Sequence, residues 1–190
     1  MSDAALRLYA ALVEKWSPKI NLISKADLPH IWQRHIQDSL RLLPFIPAGT
    51  THAIDLGSGA GFPGLALCIA TGIPFTLIES DGRKAAFLME AARQTGAPAK
   101  IHNTRIEAAK LQPAPLITAR ALAPLDKLLG LAAPHLAPGG ICLFPKGRTA
   151  QDELTLATPL WHMEAERITD PAWGDSCILK VSQIRHAGPE

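Results

Sequence analysis

Apolar residues recur along this chain with two alternating periods. Leu6, Tyr9, Leu12, Val13 and Trp16 fall at helical spacing, and Pro18 is expected to end that helix. A second helical stretch is predicted from about Leu28 to Leu43. Trp32, Ile36, Leu40 and Leu43 form its apolar stripe, and Ile31, His35 and Ser39 share another side. Pro44, Pro47 and Gly49 then break the chain, so residues 1–50 read as a helical extension packed on the core, because two tryptophan-bearing stripes need covering. Beyond them strand and helix patterns alternate. A short apolar strand (Ala53, Ile54, Leu56) is followed by a helix near 64–71, a strand near 74–79, a helix near 83–96 and a strand near 99–102. A strand near 115–119, a helix near 125–136, a strand near 140–145, a helix near 151–158 and two last strands near 161–169 and 176–185 complete the pattern. Such alternation implies an α/β fold, doubly wound, with a parallel sheet, helices on both faces and ligands at the carboxyl ends of the strands. The closing pair of strands without an intervening helix departs from a pure dinucleotide fold.

The first strand runs into Ile54-Asp55-Leu56-Gly57-Ser58-Gly59-Ala60-Gly61-Phe62-Pro63-Gly64, with four glycines in the eight residues from Gly57 to Gly64. A strand, a glycine turn and a helix in that order build a nucleotide-shaped site, because a Cβ would block both the turn and the approach of backbone to ligand. Two registers compete for the ligand. Gly59-x-Gly61-x-x-Gly64 matches a dinucleotide fingerprint, which predicts a nicotinamide oxidoreductase, but Pro63 then stands where a pyrophosphate needs an N–H donor. Read from Asp55, acid-x-Gly-x-Gly-x-Gly resembles the first motif of S-adenosylmethionine methyltransferases, whose cofactor has no pyrophosphate. Glu79, closing the second strand, is expected to accept ribose hydroxyls in either case, so it supports the fold more than the choice of cofactor. The final strand pair then fits the antiparallel last strand of class I methyltransferases, giving a Rossmann-like sheet with an N-terminal helical extension.

Composition narrows the rest. The 190 residues make one domain's worth of chain, residues 51–190 forming the α/β core, and a mean hydropathy of +0.11 argues for an ordered globule. No apolar run approaches the length of about 18 residues that spans a bilayer. Nothing in Met1-Ser2-Asp3 marks the chain for secretion, so a cytoplasmic location is expected. Cys68, Cys142 and Cys177 sit apart in apolar segments and the seven histidines lack a zinc pattern, so neither disulfides nor a metal are expected. Net charge is only +2, yet it runs +2 over residues 1–50, +4 over 51–150 and −4 over 151–190, which permits one basic face for an anionic partner.

Several separated segments carry a more specific likeness: Lys15-Trp16-Ser17-Pro18-Lys19-Ile20-Asn21-Leu22, Arg34-His35-Ile36-Gln37-Asp38-Ser39-Leu40, Asp55 through Gly64, Lys84-x-x-Phe87-Leu88, Arg105-Ile106-Glu107, Thr118-Ala119-Arg120-Ala121 and Lys146-Gly147. In this order they resemble, over nearly the whole chain, the bacterial small-subunit ribosomal RNA guanine-N7 methyltransferases, also called glucose-inhibited division protein B. Ser17-Pro18 stands where that family usually has Asn-Lys, Gly82 where Asn or Lys is common, and the C-terminal region is short and acidic. The resemblance implies S-adenosylmethionine as cofactor, 16S ribosomal RNA or the small subunit as partner, and a guanine of the 530 loop as target. It implies that Gly57, Ser58, Gly59, Gly61 and Phe62 line the cofactor with Glu79, that Ile106 and Glu107 meet the adenine, and that Arg120 contacts the cofactor.

Neutral guanine already presents a lone pair at N7, so no general base is demanded and no catalytic acid or base is assigned. Thr118-Ala119-Arg120-Ala121 replaces the Asn/Asp-Pro-Pro-aromatic motif of exocyclic-amine enzymes, and Cys142 inside a strand is poorly placed as a nucleophile. Candidate RNA contacts are Lys146, Arg148, Arg34, His35 and Lys19, with Lys146 best placed at the end of the fifth strand. His35 fits equally a histidine packed within the N-terminal helices, and Trp16 and Trp32 fit the core better than base stacking. A non-catalytic RNA- or ribosome-binding module on the same fold is the remaining rival.

Overall fold

The computed structural model of the protein describes residues 2–188. Helix α1 (Ser2–Ile20) buries Leu6, Tyr9, Leu12 and Val13. Pro18 lies inside its last turn and does not end it; the chain leaves the helix only at Asn21, whose φ of 51° is left-handed and whose N–H still reaches the Ser17 carbonyl at 2.9 Å. A proline so close to the terminus forfeits one hydrogen bond that packing of Trp16 and Ile20 on the core replaces. The second helical stretch is not one α-helix. It is a 3-10 turn (Leu28–His30), a π-helical turn (Trp32–Gln37), the single α-turn α2 (Asp38–Leu40) and another 3-10 turn (Leu43–Phe45). The wider turn shifts the buried positions to Ile31, Ile36, Ser39 and Leu42, leaving Trp32, Leu40 and Leu43 only partly covered.

Seven strands follow: β1 (Ala53–Leu56), β2 (Phe75–Ile78), β3 (Ala99–His102), β4 (Ala114–Thr118), β5 (Leu136–Lys146), β6 (Trp161–Ile168) and β7 (Cys177–His186), in the order β3-β2-β1-β4-β5-β7-β6. The first five are parallel, and β7 runs antiparallel between β5 and β6. Helices α3 (Gly64–Thr71), α4 (Gly82–Thr95), α5 (Leu125–Ala132) and α6 (Ala150–Ala157) connect them. Strand side chains alternate between two cores. Ala53, Phe75 and Leu77 face one that includes α1, α3 and α4; Ile54, Leu56 and Ile78 face another that includes α5 and α6. Because both faces are covered, all of β1 is buried, Asp55 included. Exposed charged positions along the edge strand β6 discourage further pairing.

Helix α4 starts where the Asp81 carboxylate accepts from the N–H groups of Arg83 at 2.8 Å and Lys84 at 3.2 Å, and Gly96 closes it in the left-handed region. The strand order reverses between β1 and β4, which turn in opposite directions on leaving the sheet. That switch point opens a crevice at their carboxyl ends. No helix of the described residues is long and apolar enough to cross a membrane, and among them no cluster of His, Cys, Asp and Glu suits a metal.

Candidate functional site

The crevice holds a cavity of about 460 Å³, a size suited to a small organic ligand. Its walls come from the loop after β1 (Gly57, Ser58, Gly59, Phe62), the end of β2 (Glu79), the turn after β3 (Ile106, Glu107) and the end of β4 (Arg120, Leu122). Eight of the nine residues expected to hold a cofactor therefore meet around one space. Gly61 does not line it. It faces the N-terminal helix, and a Cβ there would stand 2.5 Å from the Tyr9 hydroxyl.

The loop is built on a buried carboxylate. Asp55 accepts from the Thr118 hydroxyl at 2.6 Å, which ties β1 to β4 across the switch point. Burial pushes its carboxyl up to about 6 while the Thr118 hydrogen bond opposes the shift. Above it the Ser58 N–H extends the parallel ladder to the Ile78 carbonyl at 2.9 Å, and the Gly61 N–H closes a turn on the Ser58 carbonyl at 2.7 Å. Gly57 has a φ of 62°, a left-handed conformation that favours glycine, and a Cβ on it would also push on a Leu122 methyl 2.6 Å away. Glu79 accepts from the Gly59 N–H at 2.8 Å through one oxygen and from the Asp81 N–H at 2.7 Å through the other. The glutamate thus fixes the glycine loop as well as facing the cavity, and each oxygen keeps a lone pair for a ligand donor.

The N-terminal segment completes the wall. Phe62 lies between the Tyr9 ring, 5.2 Å away, and the His35 ring, stacked at 5.0 Å, with the Arg120 guanidinium 5.2 Å above its face. Arg120 donates to His35 Nδ1 at 2.8 Å, to the Arg34 carbonyl at 3.3 Å and to Asp38 Oδ2 at 3.2 Å. His35 is therefore an acceptor at Nδ1. Burial first, and the Arg120 charge second, pull its pKa down to about 4. Tyr9 donates to the Ala60 carbonyl at 2.6 Å. Tyr9→Phe leaves that buried carbonyl without its donor and is expected to destabilise the protein by about 1–3 kcal/mol, read from urea unfolding midpoints.

His35 and Asp55 act oppositely on stability in acid. The folded state excludes a proton from His35 between about pH 4 and 6.5, so its contribution falls as pH drops through that window. Folded Asp55 keeps a proton between about pH 3.8 and 6 that the unfolded chain has released, so its contribution falls as pH rises. The midpoint of His35→Gln, relative to the natural protein, is expected to be more favourable at pH 4.5 than at pH 7. That of Asp55→Asn is expected to move the other way.

The basic residues expected at the RNA are placed differently. Lys146 is not a free cation on exposed backbone. Its side chain is 9% exposed, and its ammonium donates to Glu153 at 2.7 Å and to the Ala123 carbonyl at 3.0 Å. Burial opposes ionisation of Glu153, but Lys146 and Thr149 hold its carboxyl below the usual range. Arg148 is exposed and pairs with Asp175, and Arg34 is exposed and pairs with Asp27. Lys19 lies in a separate groove with Lys15, Trp16, Glu90 and Gln94. Trp16 is partly buried and packs against the core on Phe87, with ring centroids 5.7 Å apart. Cys142 is fully buried, and burial pushes its thiol far above the usual range, which disarms it as a nucleophile. Leu122 and Tyr9 are the supports that sequence patterns do not mark as part of the site. Tyr9 reads only as one member of an apolar stripe.

The geometry fits what known proteins show. The family model of rRNA small subunit methyltransferase G, GidB, matches residues 2–171. A protein of Rhodospirillum centenum called ribosomal RNA small subunit methyltransferase G is 54% identical over 187 residues, covering 96% of this chain and 85% of that one. A protein of the same name from Acidiphilium cryptum is 52% identical over 185 residues, covering 96% and 85%. Solved structures agree on the fold. A ribosomal protein L11 methylase of Lactobacillus delbrueckii superposes with a TM-score of 0.60 at 16% identity over 78% of each chain. The N-methyltransferase NodS of Bradyrhizobium japonicum, in complex with S-adenosylhomocysteine, gives 0.59 at 16% identity over 92% of this chain and 99% of that one. These matches overturn the nicotinamide register of the glycine loop and assign the sheet to the class I methyltransferases. The chain belongs to the rRNA small subunit methyltransferase G family, whose members are S-adenosylmethionine-dependent methyltransferases.

Proposed function

We propose that this protein methylates N7 of one guanine in the 530 loop of 16S ribosomal RNA, in the cytoplasm, as a single functional unit in which residues 1–50 act with the core. The observation that carries the reading is the cavity at the switch point, which joins the glycine loop, Glu79, Ile106, Glu107 and Arg120 around one space. The residues present fit S-adenosylmethionine. Among the described residues, and apart from its two chain neighbours, the Gly57 carbonyl oxygen at 3.9 Å is what a Cβ built on Gly59 would meet within 4 Å, so backbone there is open to a ligand. A carboxylate for ribose hydroxyls (Glu79) and an apolar surface for a ring (Ile106) lie on the neighbouring strand ends.

When bound, the cofactor supplies an electrophilic methyl carbon on a sulfonium that leaves as a neutral thioether. Glu79, Ile106 and the loop hold and orient it; Glu107 is exposed at the cavity rim, where its carboxylate can accept from an exocyclic amine. Arg120 and Phe62 exclude water from the side where the base arrives. The N7 lone pair would form the new bond and no proton leaves the base at that step, so no residue is asked to act as acid or base. Positioning then supplies the rate, by effective-molarity arguments up to about 7–11 kcal/mol.

Mass spectrometry of ribosomal RNA nucleosides tests this directly. Cells lacking the protein are expected to lose one N7-methylguanosine, and an unchanged nucleoside profile overturns the reading. Methyl transfer to small subunits at saturating S-adenosylmethionine separates an enzyme from a non-catalytic ribosome-binding module, for which no transfer is expected.

A further inference from the structure

A second cavity, of about 470 Å³, opens at the carboxyl ends of β4, β5 and the start of β7. It shares Arg120, Ala121 and Leu122 with the first, so the two are separated by one thin wall. We propose that this second cavity is a guanine-reading pocket in which Asp38 accepts from the Watson–Crick edge of the target base and Trp173 covers its face. The inference rests on the function proposed above and names the residues that select the base.

Guanine presents N7 and O6 as acceptors on one side and N1–H and the N2 amine as donors on another. A base that turns N7 toward Leu122 in the shared wall turns its two donors away from that residue, so another side of the pocket needs a paired acceptor. Two carboxylates line the cavity, Asp38 and Glu153. Glu153 is already committed. One oxygen takes Lys146 Nζ at 2.7 Å and the Leu125 N–H at 2.9 Å, and the other takes the Thr149 hydroxyl at 3.0 Å. Asp38 has room. Among the described residues its Oδ1 takes Arg41 at 2.8 Å and its Oδ2 takes Arg120 at 3.2 Å, which leaves a lone pair on each oxygen for two parallel donors. Adenine offers one amine and an acceptor at that edge, and its ring lone pair meets the carboxylate unfavourably.

The other walls suit a flat ring. Trp173, partly exposed, carries the Arg41 guanidinium 5.4 Å from its ring centroid, and Pro145 and Ile178 supply apolar surface from β5 and β7. A phosphate would compete with carboxylates already in place in the same cavity. Arg41, Arg120 and Lys146 each already face a carboxylate, Asp38 or Glu153. Methylation at N7 leaves the base cationic, with the carbon–sulfur bond broken, the nitrogen–carbon bond formed and N1–H retained, so the Asp38 carboxylate also faces the charge that develops.

The test compares an RNA fragment that the natural protein methylates with the same fragment carrying inosine, which lacks the N2 amine, at the target position. The natural protein is expected to prefer guanosine by about 10-fold or more in kcat/KM, and Asp38→Asn to lower that ratio to within about twofold of unity. The ratio is internal to each protein, so a uniform loss of folding or cofactor binding leaves it unmoved. Should Asp38→Asn turn over too slowly to assay, competition binding of the two RNAs with S-adenosylhomocysteine present reads the same ratio. Equal use of both RNAs by the natural protein, or an undiminished preference in Asp38→Asn, overturns the pocket. Failure of the natural protein to methylate either RNA counts instead against the function proposed above.

Discussion

Gly64→Ala is expected to lower the melting temperature by about 6–12 °C in a calorimetric scan. A Cβ on Gly64 would collide with Asp55 Cβ and stand 2.7 Å from Asp55 Oδ2. Asp55 cannot retreat, because it is fully buried, short, and held at 2.6 Å by Thr118 across the switch point. Overpacking against an immovable neighbour costs about 3 kcal/mol, and for a chain of this size each kilocalorie shifts the midpoint by about 2–4 °C. The same collision displaces the loop that carries Gly57 and Gly59, so affinity for S-adenosylmethionine should fall with stability. A midpoint within about 2 °C of the natural protein would show that β1 yields where its packing says it cannot.

Arg120→Lys is expected to reduce kcat/KM for methyl transfer by about 100-fold, nearly as much as Arg120→Ala. The guanidinium makes three hydrogen bonds in three directions, to His35 Nδ1, the Arg34 carbonyl and Asp38, while its face covers Phe62. An ammonium keeps the charge but can neither stack on Phe62 nor hold that planar fork. Those contacts fix the N-terminal segment against the end of β4 and form the wall between the two cavities, so both cofactor and base lose their frame. Initial rates with labelled cofactor, together with calorimetric affinity for S-adenosylmethionine, check the loss. Near-natural rates in Arg120→Lys would show that charge alone is needed.

The alternation of strand and helix was legible because both faces of the sheet are covered, which writes continuous apolar runs for the strands and helical stripes between them. The glycine loop was legible for a harder reason. At Gly57 a left-handed φ favours glycine and at Gly64 Asp55 leaves no room for a Cβ, so residue type follows from backbone conformation and sterics. What escaped were features set by partners distant in sequence. The π-helical turn at Trp32–Gln37 has no local signature; it follows from docking Ile36 into the core while His35 reaches Phe62 and Arg120. Lys146 has the composition of a phosphate contact, and only the fold brings Glu153 of α6 and the Ala123 carbonyl to its ammonium. Gly61 shares a motif with Gly57 and Gly59 but answers to Tyr9 on the other side of the loop.

A crystal structure with S-adenosylmethionine bound tests the central claim most directly. The account predicts the adenosyl group in the cavity of Gly57, Glu79 and Ile106, its ribose hydroxyls on the Glu79 carboxylate, and its sulfonium turned toward Arg120 and Leu122, where the second cavity begins. A ligand seated outside the glycine loop, or one whose methyl group faces away from that shared wall, would contradict it.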